Sequence, residues 1–388
     1  MIRFSRAEMG LFLVPLALVP VVIWGQRWKV ATTPKPTPVP TATPLPIPNL
    51  YSDFYQGNTE AILASPDGKW IYTSNQNNKT KFATWDAQSG NLVRRFGKFD
   101  LGNADAVLSP DGRLLGFGHG GWKGDRVVLL DAATGREKLQ VQKPKAQGYG
   151  FDVNDQHIAL PSDDEVRFFS VSDGKFSFKL RHRTSDFYPK RPKFSPNGKR
   201  VLWIGFSNRD FDSYANGNSN DEIVWFDVAK RKRLGAIELP QVDLFNARFS
   251  GDGKTILAWG FRRYWVKGRN GRNTIDTQRK FFAIDAGTGK KLYSWDLSRH
   301  NSDVAVSPNG KWFTWHSDED IRDNITKMFI SIREVRTGKE IHRLENEFFG
   351  QSAWSPTSRT LYIEHGRLWR LQLQPDLIWK LNKGKSNW

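Results

Sequence analysis

The stretch SPDGKWIYTS, residues 65–74, has the pattern of a tight turn followed by a strand. Proline fixes the backbone early in such a turn, and glycine accepts the left-handed conformation near its end. The segment KWIYTS is rich in aromatic and β-branched residues, which is typical of a strand. The turn recurs along the chain, with clear copies at 109–113, 195–199, 250–254 and 307–311 and divergent copies at 152–156 and 355–359.

Seven copies spaced 43 to 57 residues apart indicate a repeat architecture. Each unit contains a short apolar strand, the turn, a second strand and a variable loop. A third strand then ends in an acid, as in FATWD at 82–86, and a second turn such as QSG at 88–90 leads to a fourth strand. Four antiparallel strands repeated seven times predict an all-β, seven-bladed β-propeller over residues 49–388. A sandwich would not repeat one motif seven times, and a solenoid would have smaller, more regular coils.

The end of the chain bears on how the ring closes. The segment LIWKLN at 377–382 is expected to form the fourth strand of the last blade. The alternative is that residues 50–57 supply this strand from the N-terminal side of the propeller.

Residues 65–74 together with ATWDAQSGNLVRRF at 83–96 resemble a blade of the WD-repeat family, or of the related bacterial WD-like and quinoprotein-like propellers. The resemblance covers about residues 50–388. The Gly-His pair that opens a standard WD repeat is missing, and the Trp-Asp pair is intact only at Trp85 and Asp86. The buried hydrogen-bond set that the family builds on that histidine is therefore not carried over. We expect the acids that end the third strands to fix the turn that follows.

The N-terminal region predicts a membrane anchor and a spacer. Residues 1–8 form a short basic segment, and residues 9–25, MGLFLVPLALVPVVIWG, contain no charge. This length is at the short end for a single-pass transmembrane helix. A cleaved signal peptide and a buried soluble helix are the alternatives. The Pro/Thr-rich residues 26–48 predict an extended linker, which would place the propeller near a membrane and outside the cytoplasm, on the periplasmic or cell-surface side.

Composition excludes several kinds of site. The 388 residues include no cysteine, which rules out disulfides, cysteine-ligated zinc and a thiol nucleophile. The seven histidines are scattered, and no serine elbow is present. The sequence therefore predicts no catalytic residue, no cofactor and no metal. An enzyme or a quinoprotein-like cofactor-binding protein, with a site assembled in the central channel, is the alternative.

Function is expected where the repeats differ, on the face that carries the variable loops. The segment 261–280 has a net charge of +6, the segment 181–193 has +4, and the neighbouring segments 207–222 and 316–327 have −3 and −2. Cations interleaved with aromatic rings are typical of a binding surface. The candidate partner-binding residues are Arg181, Arg183, Lys190, Arg191, Arg262, Arg263, Tyr264, Trp265, Lys267, Arg269 and Arg272.

The net charge of +18, of which +14 belongs to residues 49–388, favours anionic partners. The sequence predicts a membrane-anchored scaffold that binds a protein or an anionic polymer, and a position outside the cytoplasm disfavours nucleic acid. Two further interpretations stay open. In the first, the basic segments pair with their acidic neighbours. In the second, the domain docks electrostatically on anionic lipid.

Overall fold

The structure is a ring of seven four-stranded antiparallel sheets, each built from consecutive strands. This confirms the prediction of an all-β, seven-bladed propeller. The computed structural model describes residues 59–75, 81–96, 104–119, 126–142, 150–182, 187–207, 221–267, 273–297, 304–320, 326–345, 351–364, 368–373 and 379–382.

The strands follow the seven repeat units along the chain, four to a blade. Blades one to three contain β1 (Thr59–Ala64), β2 (Trp70–Asn75), β3 (Lys81–Asp86), β4 (Leu92–Phe96); β5 (Ala104–Leu108), β6 (Leu114–His119), β7 (Arg126–Asp131), β8 (Glu137–Gln142); and β9 (Asp152–Val153), β10 (His157–Ser162), β11 (Glu165–Ser170), β12 (Phe176–Arg181). Blades four and five contain β13 (Phe187–Phe194), β14 (Arg200–Ser207), β15 (Asp221–Asp227), β16 (Lys232–Leu239); and β17 (Val242–Phe249), β18 (Thr255–Lys267), β19 (Asn273–Asp285), β20 (Lys291–Leu297). Blades six and seven contain β21 (Val304–Val306), β22 (Trp312–Asp320), β23 (Thr326–Glu334), β24 (Glu340–Glu345); and β25 (Ser352–Trp354), β26 (Thr360–Glu364), β27 (Leu368–Leu373), β28 (Trp379–Asn382).

The ring closes between blades seven and one. The first strands of the blades pack beside one another around the axis, and β25 contacts β1. The last blade takes its fourth strand from the C-terminal segment, because β28 pairs with β27 with Leu381 opposite Leu371. This confirms the expectation for LIWKLN, and the alternative segment 50–57 lies outside the described residues.

The predicted anchor and its flanking segments are not part of this description. Residues 1–8, 9–25 and 26–48 all lie outside the described residues. Within the described ranges, no helix has the length and apolar character needed to cross a membrane.

The repeated turn is built in the same way from blade to blade. In blade one the Ser65 hydroxyl donates to Asp67 Oδ1 over 2.6 Å and accepts the N–H of Trp70 over 2.9 Å. The N–H of Gly68 donates to the Ser65 carbonyl, and Gly68 has a φ of 72°, which glycine adopts without steric cost. The serine hydroxyl accepts the equivalent bond at Ser109, Ser195, Ser250, Ser307 and Ser355.

Blade three has a shorter turn than the sequence alignment predicts. Asn154 takes the place of the serine, because its N–H donates to the carbonyl of His157 and its Oδ1 accepts the N–H groups of Gln156 and His157. The expected alignment of Asp152 with the motif serine was therefore wrong by two residues. The amide side chain forms a local turn that needs no proline or glycine.

The turns of neighbouring blades also contact one another, forming a belt around one end of the channel. A Cβ added to Gly112 would lie 2.5 Å from Cδ of Pro66 in the preceding blade, and one added to Gly68 would lie 3.5 Å from Cδ of Pro356. Gly251 replaces the motif proline because the carbonyl groups of Ser307 and Pro308 occupy the space of a side chain. The repeated turn motif therefore forms the turn within a blade and also the contact between neighbouring blades.

The acids that end the third strands hold the second turn, as expected. Asp86 Oδ1 accepts the N–H of Ser89 over 2.7 Å and its hydroxyl over 2.8 Å. These hydrogen bonds lower the pKa of the Asp86 carboxyl. Asp131 and Asp285 make the same contacts with a threonine three residues later.

The core lies between blades, where the faces of adjacent sheets meet. Between blades four and five, for example, Trp225 is 1% exposed and packs with Leu244 and Ile256. The Trp225 indole N–H donates to the carbonyl of Ala286 in blade five over 2.9 Å. Each blade is thus stabilised by its neighbours, which is the usual physics of repeat proteins.

Candidate functional site

Blade five carries a β-hairpin that extends beyond the rest of its sheet. Strands β18 and β19 have 13 residues each and pair from Thr255 opposite Asp285 to Lys267 opposite Asn273. Among the described residues, β17 pairs with β18 as far as Arg262, and β20 pairs with β19 as far as Arg279. We call residues 263–267 and 273–278 the blade-five arm.

The prediction that residues 261–280 form a loop was wrong for most of the segment. Residues 261–267 and 273–280 are strand, and residues 268–272 lie outside the described residues. The same error applies to residues 316–320, which belong to β22. The loop was expected from the position of the segment between the second and third strands of its repeat unit, whereas the interleaved aromatic and β-branched residues satisfy the preference of a strand.

The candidate residues of the arm differ in how far they face solvent. Tyr264 and Lys267 are exposed, and Arg263 and Trp265 lie in β18. Arg262 lies at the base of the arm, is half-buried, and donates to the side-chain oxygen of Gln241. The candidates Arg269 and Arg272 lie outside the described residues.

The second basic segment, 181–193, is divided between two strands. Arg181 ends β12, where it forms ion pairs with Glu165 over 3.0 Å and with Asp164 over 3.4 Å. Burial raises the pKa of Glu165, but hydrogen bonds from Arg167, Lys179 and Arg181 outweigh it and bring the pKa to about 2. Arg183 lies outside the described residues.

The remaining part of this segment is an inner strand. Residues 187–193 belong to β13, so the prediction of a surface link was wrong for them. Lys190 and Arg191 lie along this strand, and Arg191 has a φ of 51° at a break in the register between Lys190 and Lys193. Such a bulge changes which way the following side chains face.

Lys190 belongs to a buried ionic network between blades four and five. It is 5% exposed, and its ammonium lies 2.9 Å from Asp221 and 3.3 Å from Asp243. Asp221 also accepts the N–H of Leu244 over 2.6 Å. Asp243 lies opposite Phe261 in the pairing of β17 with β18, so the network sits at the base of the blade-five arm.

Burial raises the pKa of Asp221 to about 6, although Lys190 opposes this shift. The charges of the basic segment 181–193 are thus partly compensated within the chain. His182 contacts Glu222 over 3.0 Å, at the end of the acidic segment that also contains Asp221. The interpretation that basic and acidic neighbours pair internally therefore holds for these contacts, and residues 208–220 lie outside the described residues.

A cavity of about 550 Å³ occupies the channel at the end surrounded by the belt of motif turns. All seven blades contribute to its wall. Its only charged lining residues among those that the structure describes are Asp152, Lys193 and Arg248, from the consecutive inner strands β9, β13 and β17. No group of three His, Asp or Glu side chains suited to a metal occurs in the described ranges.

The sequence contained a signal for this cavity that the motif comparison did not use. Each charged lining residue stands two positions before the first residue of its turn, which is Asn154, Ser195 or Ser250. The equivalent positions of the other four blades hold apolar residues, namely Leu63, Val107, Ala305 and Ala353. Comparing the repeats at this inner-strand position, rather than only at loops, would have singled out three consecutive blades.

Comparison with known proteins identifies the fold. No family model matches this chain, and no curated protein matches it. Among solved structures, it is similar to hydrazine synthase of Kuenenia stuttgartiensis, with a TM-score of 0.59 and 14% identity over 88% of this chain and 99% of that chain. It is also similar to the Cps50 (Swd1) β-propeller domain of Myceliophteria thermophila, with a TM-score of 0.57 and 15% identity over 82% of this chain and 98% of that chain. Similarity at these identities shows a shared propeller fold, and function has to be argued from the sites.

Proposed function

We propose that this propeller is a binding scaffold that docks an acidic protein partner through the blade-five arm. The observation that carries the proposal is the extension of β18 and β19 beyond their neighbouring strands. A hairpin that extends beyond the rest of its sheet offers a surface that the propeller fold itself does not require. Propellers commonly use such grafted features for recognition, while the blades provide rigidity.

The chemistry of the arm supports an acidic partner. The segment 261–280 carries seven basic residues and one acid, and two aromatic residues, Tyr264 and Trp265, follow Arg262 and Arg263 in the chain. Tyr264 is 36% exposed, which leaves its ring partly accessible to a partner. Arginine and aromatic side chains are the residue types that most often dominate the energetics of interfaces.

The second basic segment supports docking less strongly. Arg181 already neutralises Glu165 and Asp164, and Lys190 is buried against Asp221 and Asp243. A partner's carboxylate would have to compete with these contacts. The arm is therefore the better candidate for the docking element, with Arg181 at most a peripheral contact.

The proposal includes a membrane location. The uncharged residues 9–25 would form a single-pass anchor, and the proline-rich residues 26–48 would hold the propeller away from the bilayer on the outer side of the membrane. Resistance of the full-length protein to alkaline extraction, together with protease access to the propeller from outside intact cells, tests this part. Release by alkali, or protection of the propeller, would contradict it.

The docking proposal is tested with two variants of equal charge change. The arm variant replaces Arg263, Lys267, Arg269 and Arg272 with serine. The control variant replaces four exposed lysines of the motif turns, on the opposite face of the ring, with serine: Lys69, Lys199, Lys254 and Lys311. Each full-length protein is crosslinked in gently solubilised source membranes, and the captured proteins are quantified by mass spectrometry.

We expect the native protein and the control variant to capture the same partner, and the arm variant to capture about tenfold less or none. The captured protein should carry an acidic patch, and its binding should weaken with added salt. Equal loss in both variants would mean that net charge, not the arm, drives association. Equal binding of all three proteins to anionic lipid vesicles, without a protein partner, would replace the proposal with membrane docking.

A further inference from the structure

The axial cavity has two chemically different walls. Blades three, four and five contribute the charged residues Asp152, Lys193 and Arg248. Blades six, seven, one and two contribute mainly apolar side chains, among them Val306 and Trp354. The Trp354 indole N–H donates to the carbonyl of Ala305 over 3.1 Å, so the ring can present its apolar surface without leaving a buried donor unpaired. The cavity volume lies in the range of small-molecule sites.

The hydroxyl groups in the wall are already used by the fold. Ser109 and Ser195 donate to the side chains of their own turns and accept backbone N–H groups. The Ser352 hydroxyl lies 3.0 Å from the Thr314 hydroxyl and 3.1 Å from Nε2 of His316. The polar groups that remain for a ligand are therefore the cations.

Both cations lack a full set of partners within the described residues. Arg248 Nε is buried and has no hydrogen-bond partner there, while the guanidinium lies 5.4 Å from the centre of the Trp259 ring. Lys193 and Arg248 each have no carboxylate within 4.0 Å in the described ranges. A buried donor without a partner is costly in folded proteins, and a bound group that accepts a hydrogen bond would remove this cost.

The single carboxyl group in the wall does not balance the two cations. Asp152 Oδ2 accepts the N–H of Phe194 over 2.7 Å, which ties this side chain to the inner strand of the next blade. Burial raises the pKa of Asp152, against the lowering effects of Lys193 and Arg248. The charged wall thus carries an excess of positive charge beside an apolar wall.

We propose that the axial cavity binds a small amphipathic carboxylate, with its carboxylate on Lys193 and Arg248 and its apolar body against the wall formed by blades six, seven, one and two. A charge-assisted hydrogen bond to each cation would supply the missing partners. The apolar wall would exclude water from the body of the ligand and add affinity in proportion to the area buried. This site is separate from the arm and does not depend on the docking proposal.

The test uses 4-phenylbutyrate as the probe and isothermal titration calorimetry on the full-length protein. The charge variants are Lys193→Met and Arg248→Met, and the matched control is Lys199→Met, an exposed lysine of the same blade that does not line the cavity. We expect one probe molecule per chain, a dissociation constant raised about tenfold or more by each charge variant, and no change in the control. The neutral analogue 4-phenylbutanol should bind at least tenfold more weakly.

A second variant tests the apolar wall without removing a charge. Val306→Trp fills the cavity from blade six and should abolish binding of the probe while the thermal unfolding transition is retained. Binding that is absent in the native protein, or equal in all variants, would overturn the proposal. Equal affinity for 4-phenylbutanol would overturn it as well, because the charged wall would then contribute nothing to binding. Complete displacement of the probe by millimolar phosphate would also overturn it, because the apolar wall would then contribute nothing.

Discussion

At the scale of single residues, the motif glycines show how one position serves two purposes. Gly112 and Gly253 have nearly the same backbone conformation, with φ of 73° and 68°. A side chain at Gly112 would meet Pro66 of the preceding blade, whereas a Cβ at Gly253 would have no atom within 4 Å. Both positions therefore require glycine for the backbone conformation of the turn. Only Gly112 also requires it for the packing between neighbouring turns.

Alanine substitutions at these glycines should differ in their effect. We expect Gly253→Ala to lower the free energy of unfolding by about 1 kcal/mol, since alanine is strained in the left-handed region. Gly112→Ala should cost about 1 to 3 kcal/mol more, because the added methyl group overpacks the contact with Pro66. Denaturant unfolding of the two variants measures the difference, and equal values would mean that the turns do not support one another.

Much of this residue-level picture could be predicted from the sequence, because turns are local. The Pro-Asp-Gly and Asx contacts involve residues a few positions apart, and these residue types by themselves favour a turn. The contact of Gly112 with Pro66 and the partners of Lys190 could not be predicted in this way. They join residues 31 or more positions apart, and only the closed ring brings them together.

At the scale of strands and hairpins, the repeat pattern misled the prediction for blade five. The segment 261–280 was assigned to a loop because it lies between the second and third strands of its repeat unit, yet it is mostly strand. A two-stranded extension has both faces in solvent, so it needs no apolar alternation and gives no burial signal. The inner strand β13 was missed for a related reason, since its Lys190 is buried with two acids rather than with apolar residues.

The ionic network at the base of the arm makes a pH prediction. Asp221 has a folded-state pKa of about 6, which is above its unfolded value. The folded state therefore binds a proton at this carboxyl more tightly than the unfolded state does. Its contribution to stability is full below the unfolded pKa and is lost as the pH rises through about 6. Across that range the free energy of unfolding should fall by about 1 to 3 kcal/mol because of this group.

The measurement compares thermal unfolding of the native protein and Asp221→Asn at pH 5.0 and 7.5. The comparison is needed because burial lowers the pKa of His157 and His342, whose protonation destabilises the fold as the pH falls. We expect the variant to lose the part of the pH dependence that favours pH 5.0. An unchanged difference between the two pH values would show that Asp221 stays ionised in the folded state.

At the scale of the whole molecule, the described strands close the ring without a strand shared between its ends. Each blade takes its four described strands from one stretch of chain, and β25 of blade seven contacts β1 of blade one at a junction that we call the seam. The core at this seam includes the small residues Ala83, Ala87 and Ala353. The core between blades four and five is larger and contains Trp225 with several leucine and isoleucine side chains.

We therefore expect the ring to open first at the seam. Buried apolar area is the main source of stability between blades, and among the described residues the core at the seam has fewer large apolar side chains than the core between blades four and five. Hydrogen exchange of the full-length protein, followed by mass spectrometry, should show faster exchange in β2 and β26 than in the equivalent second strands β14 and β18 up to Trp259. Uniform protection of these four strands would contradict a weak seam.

The blade-five arm also has a consequence for how copies of this protein behave together. Beyond Arg262 and Arg279, β18 and β19 pair with each other, and no third described strand pairs with them there. Open edges invite strand addition between molecules, which is a route to aggregation. The cations of the segment 261–280 make two arms repel each other. Any change that neutralises these charges to weaken partner docking would at the same time remove this protection against self-association.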